Sequence, residues 1–192
     1  MIAGHFGFAA GVKGQERQVP LWALMLATVW LDLVFVPLFL VGIETLSSIG
    51  TGGYGNVIIR ADYTHSLVGA LVLSAIFGGS GAVRWGMRTG AVLGGVAFSH
   101  WVLDLVVHRP DLPILPGNAG DLPLLGFGLW RWPSATFALE LVLVLAGSYL
   151  YWRAAGVIAS DRDDETRRKA RILGLAVLGA GVLTLVADAF AA

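Results

Sequence analysis

Five long apolar stretches constrain the fold of this chain more than any other feature of its sequence. They are residues 19–43, 66–83, 90–107, 136–157 and 172–190. A helix needs about 20 apolar residues to cross the hydrocarbon core of a bilayer. Only 14% of the residues are charged, whereas a soluble domain carries about a quarter. The sequence therefore predicts an all-α, polytopic membrane helical bundle with five spanning helices, forming a single integral-membrane domain over residues 1–192.

The net charge and the cysteine count exclude several kinds of function. The formal net charge is zero, so there is no electrostatic argument for a nucleic-acid partner. The chain contains no cysteine, which excludes disulfides and thiolate metal ligands. Membrane lipid is the expected partner, and a bound metal would have to be held by imidazole and carboxylate groups.

The basic residues divide unequally between the two ends of the predicted bundle. Ten of the 13 fall on the side of the amino terminus, and Arg60, Arg109 and Arg131 fall on the other side. Because cytoplasmic loops carry the excess of Lys and Arg, we expect a multi-pass protein of the cytoplasmic (inner) membrane. Its amino end is expected inside and its carboxyl end outside. The charged segment 158–171 is then a solvated cytoplasmic loop.

Two further segments do not follow the spanning pattern. Residues 108–133 contain five of the seven prolines, and because proline fixes φ and lacks an N–H, we expect an ordered extracytoplasmic cap over the helix ends. The first dozen residues are too few to span. Gly7 and Gly11 would let a half-span amino-terminal helix dock closely on a neighbour, with His5 deep in the bundle. A helix lying on the inner membrane surface is the alternative, and it would leave His5 far from the other polar groups.

Ionisable side chains recur inside the third apolar run. In SHWVLDLVVHRPDLP, which begins at Ser99, every fourth residue is ionisable: His100, Asp104 and His108. This spacing places them on one face of a helix. A histidine and a carboxylate one turn apart can ligate one metal ion, zinc first, although manganese and iron accept the same groups. A hydrogen bond from His100 to a backbone carbonyl is the alternative. His108, beside Arg109, is expected at the surface.

Three more ionisable residues lie in or beside apolar runs. A central aspartate such as Asp32 costs about 3 kcal/mol in a membrane, so it should face the interior, where His100 or a shared cation is its partner. A structural His–Asp pair is the alternative. His65 begins the second run on the side where the third ends, within reach of Asp104, and an exposed loop histidine is the alternative. Glu140 is a candidate metal ligand, general base or outer partner of a ligating histidine. A glutamate at headgroup level is the alternative.

These motifs together resemble a known family. GHFGFAAG near the amino end, LD at residues 31–32, YTHSL at 63–67 and the SHWVLDLVVHRPDLP stretch are similar to motifs of the YdjM-type membrane-bound metal-dependent hydrolases. The resemblance covers about residues 1–113. It implies that a metal site is formed by His5, Asp32, His65, His100 and Asp104.

The expected function follows from this site and its depth in the membrane. Metal-activated water would attack an ester or phosphodiester, with Glu140 or His108 as acid or base. The location favours a lipid or lipid-linked substrate. A permease or an ion- or proton-conducting protein is the alternative from another class, because buried Asp and His also form cation pathways. The third possibility is a structural protein that uses a metal only to clamp its helices together.

Overall fold

A computed structural model shows a helical bundle and describes residues 1–49, 54–159 and 164–190. The elements are α1 (Ile2–Gln15), α2 (Leu21–Thr28), α3 (Trp30–Leu40), β1 (Thr45–Ser48), β2 (Val57–Arg60), α4 (Leu67–Trp85), α5 (Met87–Val107), α6 (Pro133–Ala159) and α7 (Asp164–Phe190). Short 3-10 turns occupy Pro116–Asn118 and Leu129–Arg131. The predicted all-α class is confirmed. The antiparallel hairpin of β1 and β2 is an addition that the sequence patterns did not predict.

Four helical segments are long and apolar enough to cross a membrane. They are Leu67–Trp85, Met87–Val107, Pro133–Val157 and Asp164–Ala187. α2 and α3 pass the same test as a pair, although they meet at a bend of 47°. Within the described chain, no more than 44% of any of the four apolar windows is buried inside the protein. The remaining apolar surface faces outward, which fits a bundle surrounded by lipid.

The bend between α2 and α3 replaces the single first helix expected from the sequence. α2 ends at Thr28, whose buried hydroxyl donates to the carbonyl oxygen of His5 at 3.0 Å. α3 begins at Trp30, whose indole donates to the carbonyl of Leu73 on α4 at 3.2 Å. These tertiary hydrogen bonds hold the two sides of the break. As a result Asp32 lies in the first turn of a new helix, where a negative charge is favourable.

α1 is a short helix that packs closely on α6, and its glycines lie at the contact. A Cβ at Gly147 of α6 would overlap the carbonyl oxygen of Gly7, and a Cβ at Gly7 would lie 2.6 Å from the backbone of Leu143. Small residues are what allow two helices to approach this closely. The amino end of α1 lies inside the bundle, with His5 only 2% exposed, so α1 is not a surface helix.

α4 and α5 form a tight hairpin that brings two histidines together. A Cβ at Gly78 of α4 would lie 2.8 Å from the carbonyl oxygen of Gly90 and 3.0 Å from the Cα of Gly94. Because the two backbones approach so closely, the amino end of α4 lies beside the carboxyl-terminal half of α5. His65, just before α4, therefore meets His100 on α5.

The proline-rich cap, residues 108–133, is ordered and packs on the helix ends as expected. The amides of Leu67 and Val68 in the first turn of α4 donate to the carbonyls of Pro113 and Ile114 at 2.9 and 3.1 Å. The first amides of a helix have no partner within the helix. The cap supplies these partners and so is part of the folded bundle.

The charged segment 158–171 is not a loop throughout, which corrects the expectation from the sequence. α6 continues to Ala159 and α7 begins at Asp164, so residues 164–171 are helical, while residues 160–163 lie outside the described chain. Asp164 and Glu165 occupy the first turn of α7, where acidic side chains stabilise a helix. Lys169 pairs with Glu165 one turn away at 2.6 Å. These local interactions favour helix over a solvated loop.

The basic residues that the structure describes are divided unequally between the two ends of the bundle, as the sequence predicts. Arg88 at the start of α5 contacts Glu16, just after α1, at 3.1 Å, and Lys13 lies in the last turn of α1. Arg109 and Arg131 belong to the cap at the opposite end. One end of the bundle is therefore markedly more basic than the other.

Candidate metal centre

Five ionisable side chains meet at the cap end of the bundle. They come from α1, α3, α5 and the segment before α4, and they are His5, Asp32, His65, His100 and Asp104. Four of them are at least 95% buried, and Asp32 is the exception. The structure thus brings together all five residues that the motifs indicated.

The ligand atoms of four of these side chains lie 3.1–3.7 Å from their neighbours. His100 Nε2 is 3.1 Å from Asp104 Oδ2 and 3.3 Å from His65 Nε2. His65 Nε2 is 3.7 Å from the same Asp104 oxygen. Asp32 Oδ1 is 3.5 Å from each of the two imidazole nitrogens. Two ligand atoms of a tetrahedral ion bound at about 2.1 Å lie ~3.4 Å apart, so these groups could hold a metal ion.

The ligand atoms form two overlapping sets that share His100. One set is Asp32, His65 and His100, and the other is His5, His100 and Asp104; within each, the atoms lie within 4.8 Å of one another. His5 Nε2 is 3.2 Å from Asp104 Oδ1. Its ring stacks on that of His100, with centroids 4.0 Å apart and planes 12° apart. Imidazole and carboxylate are the ligands expected of zinc, manganese or iron.

A hydrogen bond behind His100 determines which ring nitrogen faces the cluster. His100 Nδ1 lies 2.7 Å from the carbonyl oxygen of Thr28. A carbonyl oxygen only accepts, so Nδ1 carries a proton, and in the neutral ring Nε2 directs its lone pair into the cluster. This acceptor arises from the break in the first apolar run, because the last carbonyls of a helix such as α2 have no partner within it.

His65 is oriented through Thr64, its neighbour in the YTHSL motif, and through Glu44, which no motif includes. Its Nδ1 lies 2.9 Å from Thr64 Oγ1. That hydroxyl lies 3.0 and 2.9 Å from the two carboxylate oxygens of Glu44, which is fully buried. The carboxylate accepts the single proton of the hydroxyl, so the hydroxyl oxygen accepts in turn from His65 Nδ1. A lone acidic residue just after the first apolar run was the only sequence signal for Glu44.

The centre therefore places the Nε2 atoms of His65 and His100 against the carboxylate oxygens of Asp32 and Asp104. With both rings neutral and carrying their protons on Nδ1, these groups are all acceptors. Acceptors this close repel one another in a buried site unless a metal ion or an added proton compensates them. An isolated structural His–Asp pair would not require the second histidine and the second carboxylate.

The centre forms one wall of a cavity of about 350 Å³. Asp32 faces the cavity, and 42% of its side chain is exposed there. It has the interior partners that its sequence position predicts, although it is not fully buried. His108 and Trp130 of the cap line the same cavity. The other lining residues are apolar: Met1, Ile2, Phe35, Val36, Leu46 and Ile59.

His108 is buried, so its expected surface position is wrong. It is only 3% exposed, because its ring packs against Trp130 with centroids 4.2 Å apart. Its Nδ1 lies 3.0 Å from Asp111 Oδ1. The cap thus folds back over the end of α5 and carries a histidine–aspartate pair to the cavity wall.

Glu140 is fully buried on α6 and binds the first turn of α1. Its carboxylate accepts from the amide of Gly4 at 3.3 Å and from the hydroxyl of Tyr54. An anion at the amino end of a helix is favourable. Glu140 is therefore buried inside the protein, where its carboxylate holds the amino end of α1 that carries His5.

No protein-family model, curated protein or solved structure matches this chain. Its function is therefore inferred from the chemistry of the centre itself.

Proposed function

We propose that the protein is a membrane-embedded, metal-dependent hydrolase of the YdjM type that cleaves an ester or phosphodiester of a lipid or lipid-linked substrate. The observation that carries this proposal is the convergence of two imidazole nitrogens and two carboxylates on one wall of a cavity. Zinc is the metal best suited to these ligands. When bound, it would supply a Lewis acid and water of lowered pKa.

In this proposal Asp32, His65, His100 and Asp104 would hold the ion, and His5 would be an outer partner. An imidazole nitrogen binds a metal through a lone pair in the plane of its own ring. The rings of His5 and His100 are stacked with centroids 4.0 Å apart and nearly parallel planes, so their lone pairs do not converge on one point. His5 would instead donate its Nε2 proton to Asp104 Oδ1 at 3.2 Å, which orients the other oxygen of Asp104. Outer partners of this kind hold ligands in place.

His108 is the residue we assign to proton transfer. Asp111 Oδ1 accepts its Nδ1 proton at 3.0 Å, which leaves the Nε2 lone pair for the cavity that His108 lines. A histidine held in one tautomer takes a proton from the attacking nucleophile and returns it to the leaving group. Glu140, the other candidate, supports the amino end of α1 instead.

The apolar rim of the cavity supports a lipid-like substrate. Ile2, Val36 and Leu46 line the cavity and are 45%, 48% and 43% exposed. A rim of this kind admits acyl chains next to a polar reactive centre, the combination typical of ligand pockets. The ester or phosphoryl group would then reach the His–Asp wall while the chains stay against the rim.

The packing beneath the centre argues against ion or proton conduction. Between the centre and the basic end, one to two helical turns away, lies a cluster of buried apolar side chains that includes Ala9, Leu24, Ala27, Leu93 and Val96. Conduction needs polar groups or water along its path. This apolar layer closes the bundle below the cluster, whereas a hydrolase needs access from one side only.

A turnover assay tests the proposal. We expect purified, zinc-loaded protein to hydrolyse acyl-chain esters or phosphodiesters with a fluorogenic leaving group, to stop when a chelator removes the metal, and to recover with added zinc.

The His108→Gln variant should keep its zinc and lose about 10²–10⁴-fold in turnover, the usual contribution of general acid–base catalysis. Zinc-bound protein that cleaves neither substrate class but carries cations into vesicles would favour conduction instead.

The excess of basic residues at one end supports an orientation with the cap outside the cytoplasmic membrane. Leu122 in the cap and Met87 at the α4–α5 turn are 37% and 79% exposed, and the native chain has no cysteine. In spheroplasts we expect an impermeant thiol reagent to label the Leu122→Cys protein at once and the Met87→Cys protein only after lysis. The reverse pattern would place the metal centre at the cytoplasmic face.

A further inference from the structure

We infer that Glu44, acting through Thr64, sets the position of the proton on His65 and is therefore a positioning residue of the metal centre. This inference rests on the proposed metal site. Glu44 lies between α3 and β1, away from the ligands in sequence, and no motif of the chain includes it. Its place in the fold links the start of the hairpin to the segment that carries His65.

The hydrogen bonds around Glu44 hold its carboxylate in one orientation. Oε1 accepts from the amides of Tyr63 and Thr64 at 2.9 and 2.8 Å. Both oxygens lie within hydrogen-bond distance of the Thr64 hydroxyl. The side chain of Glu44 is fully buried, and that of Thr64 is nearly so, so water does not compete for these bonds.

The backbone of His65 is held independently of this chain of bonds. The Trp101 indole donates to the carbonyl oxygen of His65 at 2.8 Å. The backbone is thus already held, and what the Glu44–Thr64 pair decides is which ring nitrogen carries the proton. With the carboxylate accepting from Thr64, the hydroxyl can only accept from Nδ1, which leaves Nε2 of the neutral ring as the nitrogen that would hold the ion.

Glu44→Gln inverts this arrangement without changing the size of the side chain. The glutamine carbonyl can still accept from the Tyr63 and Thr64 amides, but its NH₂ group now donates to the Thr64 hydroxyl. The hydroxyl proton then turns toward His65 Nδ1. His65 would carry its own proton on Nε2, pointed at the ion, and would no longer be a ligand.

Cobalt binding to the purified full-length protein tests the inference, since Co²⁺ replaces zinc and its absorption reports on the ligands. We expect Glu44→Gln and Thr64→Val to weaken Co²⁺ binding about 10–100-fold, as loss of an outer partner does. Thr64→Ser keeps the hydroxyl and should bind as the wild type does. Thr136→Val is the matched control, because it removes a buried hydroxyl that bonds backbone carbonyls of Leu129 and Trp132.

A second readout separates positioning from a merely structural role. In metal-free protein with ¹⁵N-labelled histidine, the imidazole nitrogen shifts of His65 should report Nδ1–H in the wild type and Nε2–H in Glu44→Gln. If the wild-type protein binds Co²⁺ and Glu44→Gln shows the same affinity and the same His65 tautomer, the role of Glu44 is overturned and the metal site is not. Wild-type protein that binds no Co²⁺ or Zn²⁺ overturns the metal site and this inference with it.

Discussion

The His100→Gln variant is expected to lose stoichiometric zinc from the purified protein. His100 belongs to both sets of ligand atoms, so this expectation does not depend on which set holds the ion. Its Nε2 lies 3.1 Å from Asp104 Oδ2 and 3.3 Å from His65 Nε2. Removal of a direct ligand should weaken binding by more than the 10–100-fold that loss of an outer partner costs. Zinc content by atomic spectroscopy and affinity by competition with a chromophoric chelator would measure the change.

The His108→Gln variant is the matched control for this result. His108 lines the same cavity but belongs to neither ligand set, so the variant should keep its zinc. Thermal unfolding of both variants in detergent shows whether either change disturbs the bundle. A His100→Gln protein that retains a full equivalent of tightly bound zinc would mean that the metal lies elsewhere.

The Gly147→Ala variant is expected to undock α1 from α6 and to destabilise the bundle strongly. An added methyl group would overlap the carbonyl oxygen of Gly7 and lie 2.7 Å from its carbonyl carbon. Both are backbone atoms, so no rotamer change can relieve the clash. Overpacking usually costs about 1–3 kcal/mol, and an overlap of two helix backbones should reach or exceed the upper end. Thermal unfolding followed by circular dichroism would show the loss.

Gly156→Ala on the same helix is the control, because a methyl group there meets open space. It should be neutral or raise stability by up to about 1 kcal/mol, as replacement of a helical glycine by alanine does. Since α1 carries His5, the undocked Gly147→Ala protein should also bind zinc more weakly. Equal unfolding temperatures for the two variants would contradict the close packing of α1 on α6.

Several residues of the centre can be recognised from local sequence patterns. The spacing of His100 and Asp104 places them on one helical face whatever the surroundings. The cost of an aspartate within an apolar run requires a partner for Asp32. The glycines at positions 7 and 11 predict close docking of α1, although they do not identify α6 as the neighbour.

Other parts of the centre depend on contacts between segments far apart in the chain. Glu44 reaches His65 only because the hairpin folds back on the start of α4. His108 is buried because Trp130 of the cap packs on its ring. Glu140 contacts Gly4 across 136 residues of sequence. No local pattern encodes such pairings, since each depends on which distant segment packs against the residue.

The length of the apolar runs and the helical period are properties of the sequence alone. In an apolar environment every backbone amide must bond within its own segment, so such runs become helices, and the side chains on each face follow from the period. Three other features were decided only by the tertiary structure: the break after Thr28, the ring nitrogen that each histidine presents, and the side of Asp104 that faces His65. Each depends on a hydrogen bond from a distant segment, and the partner for such a bond exists only after the helices have packed.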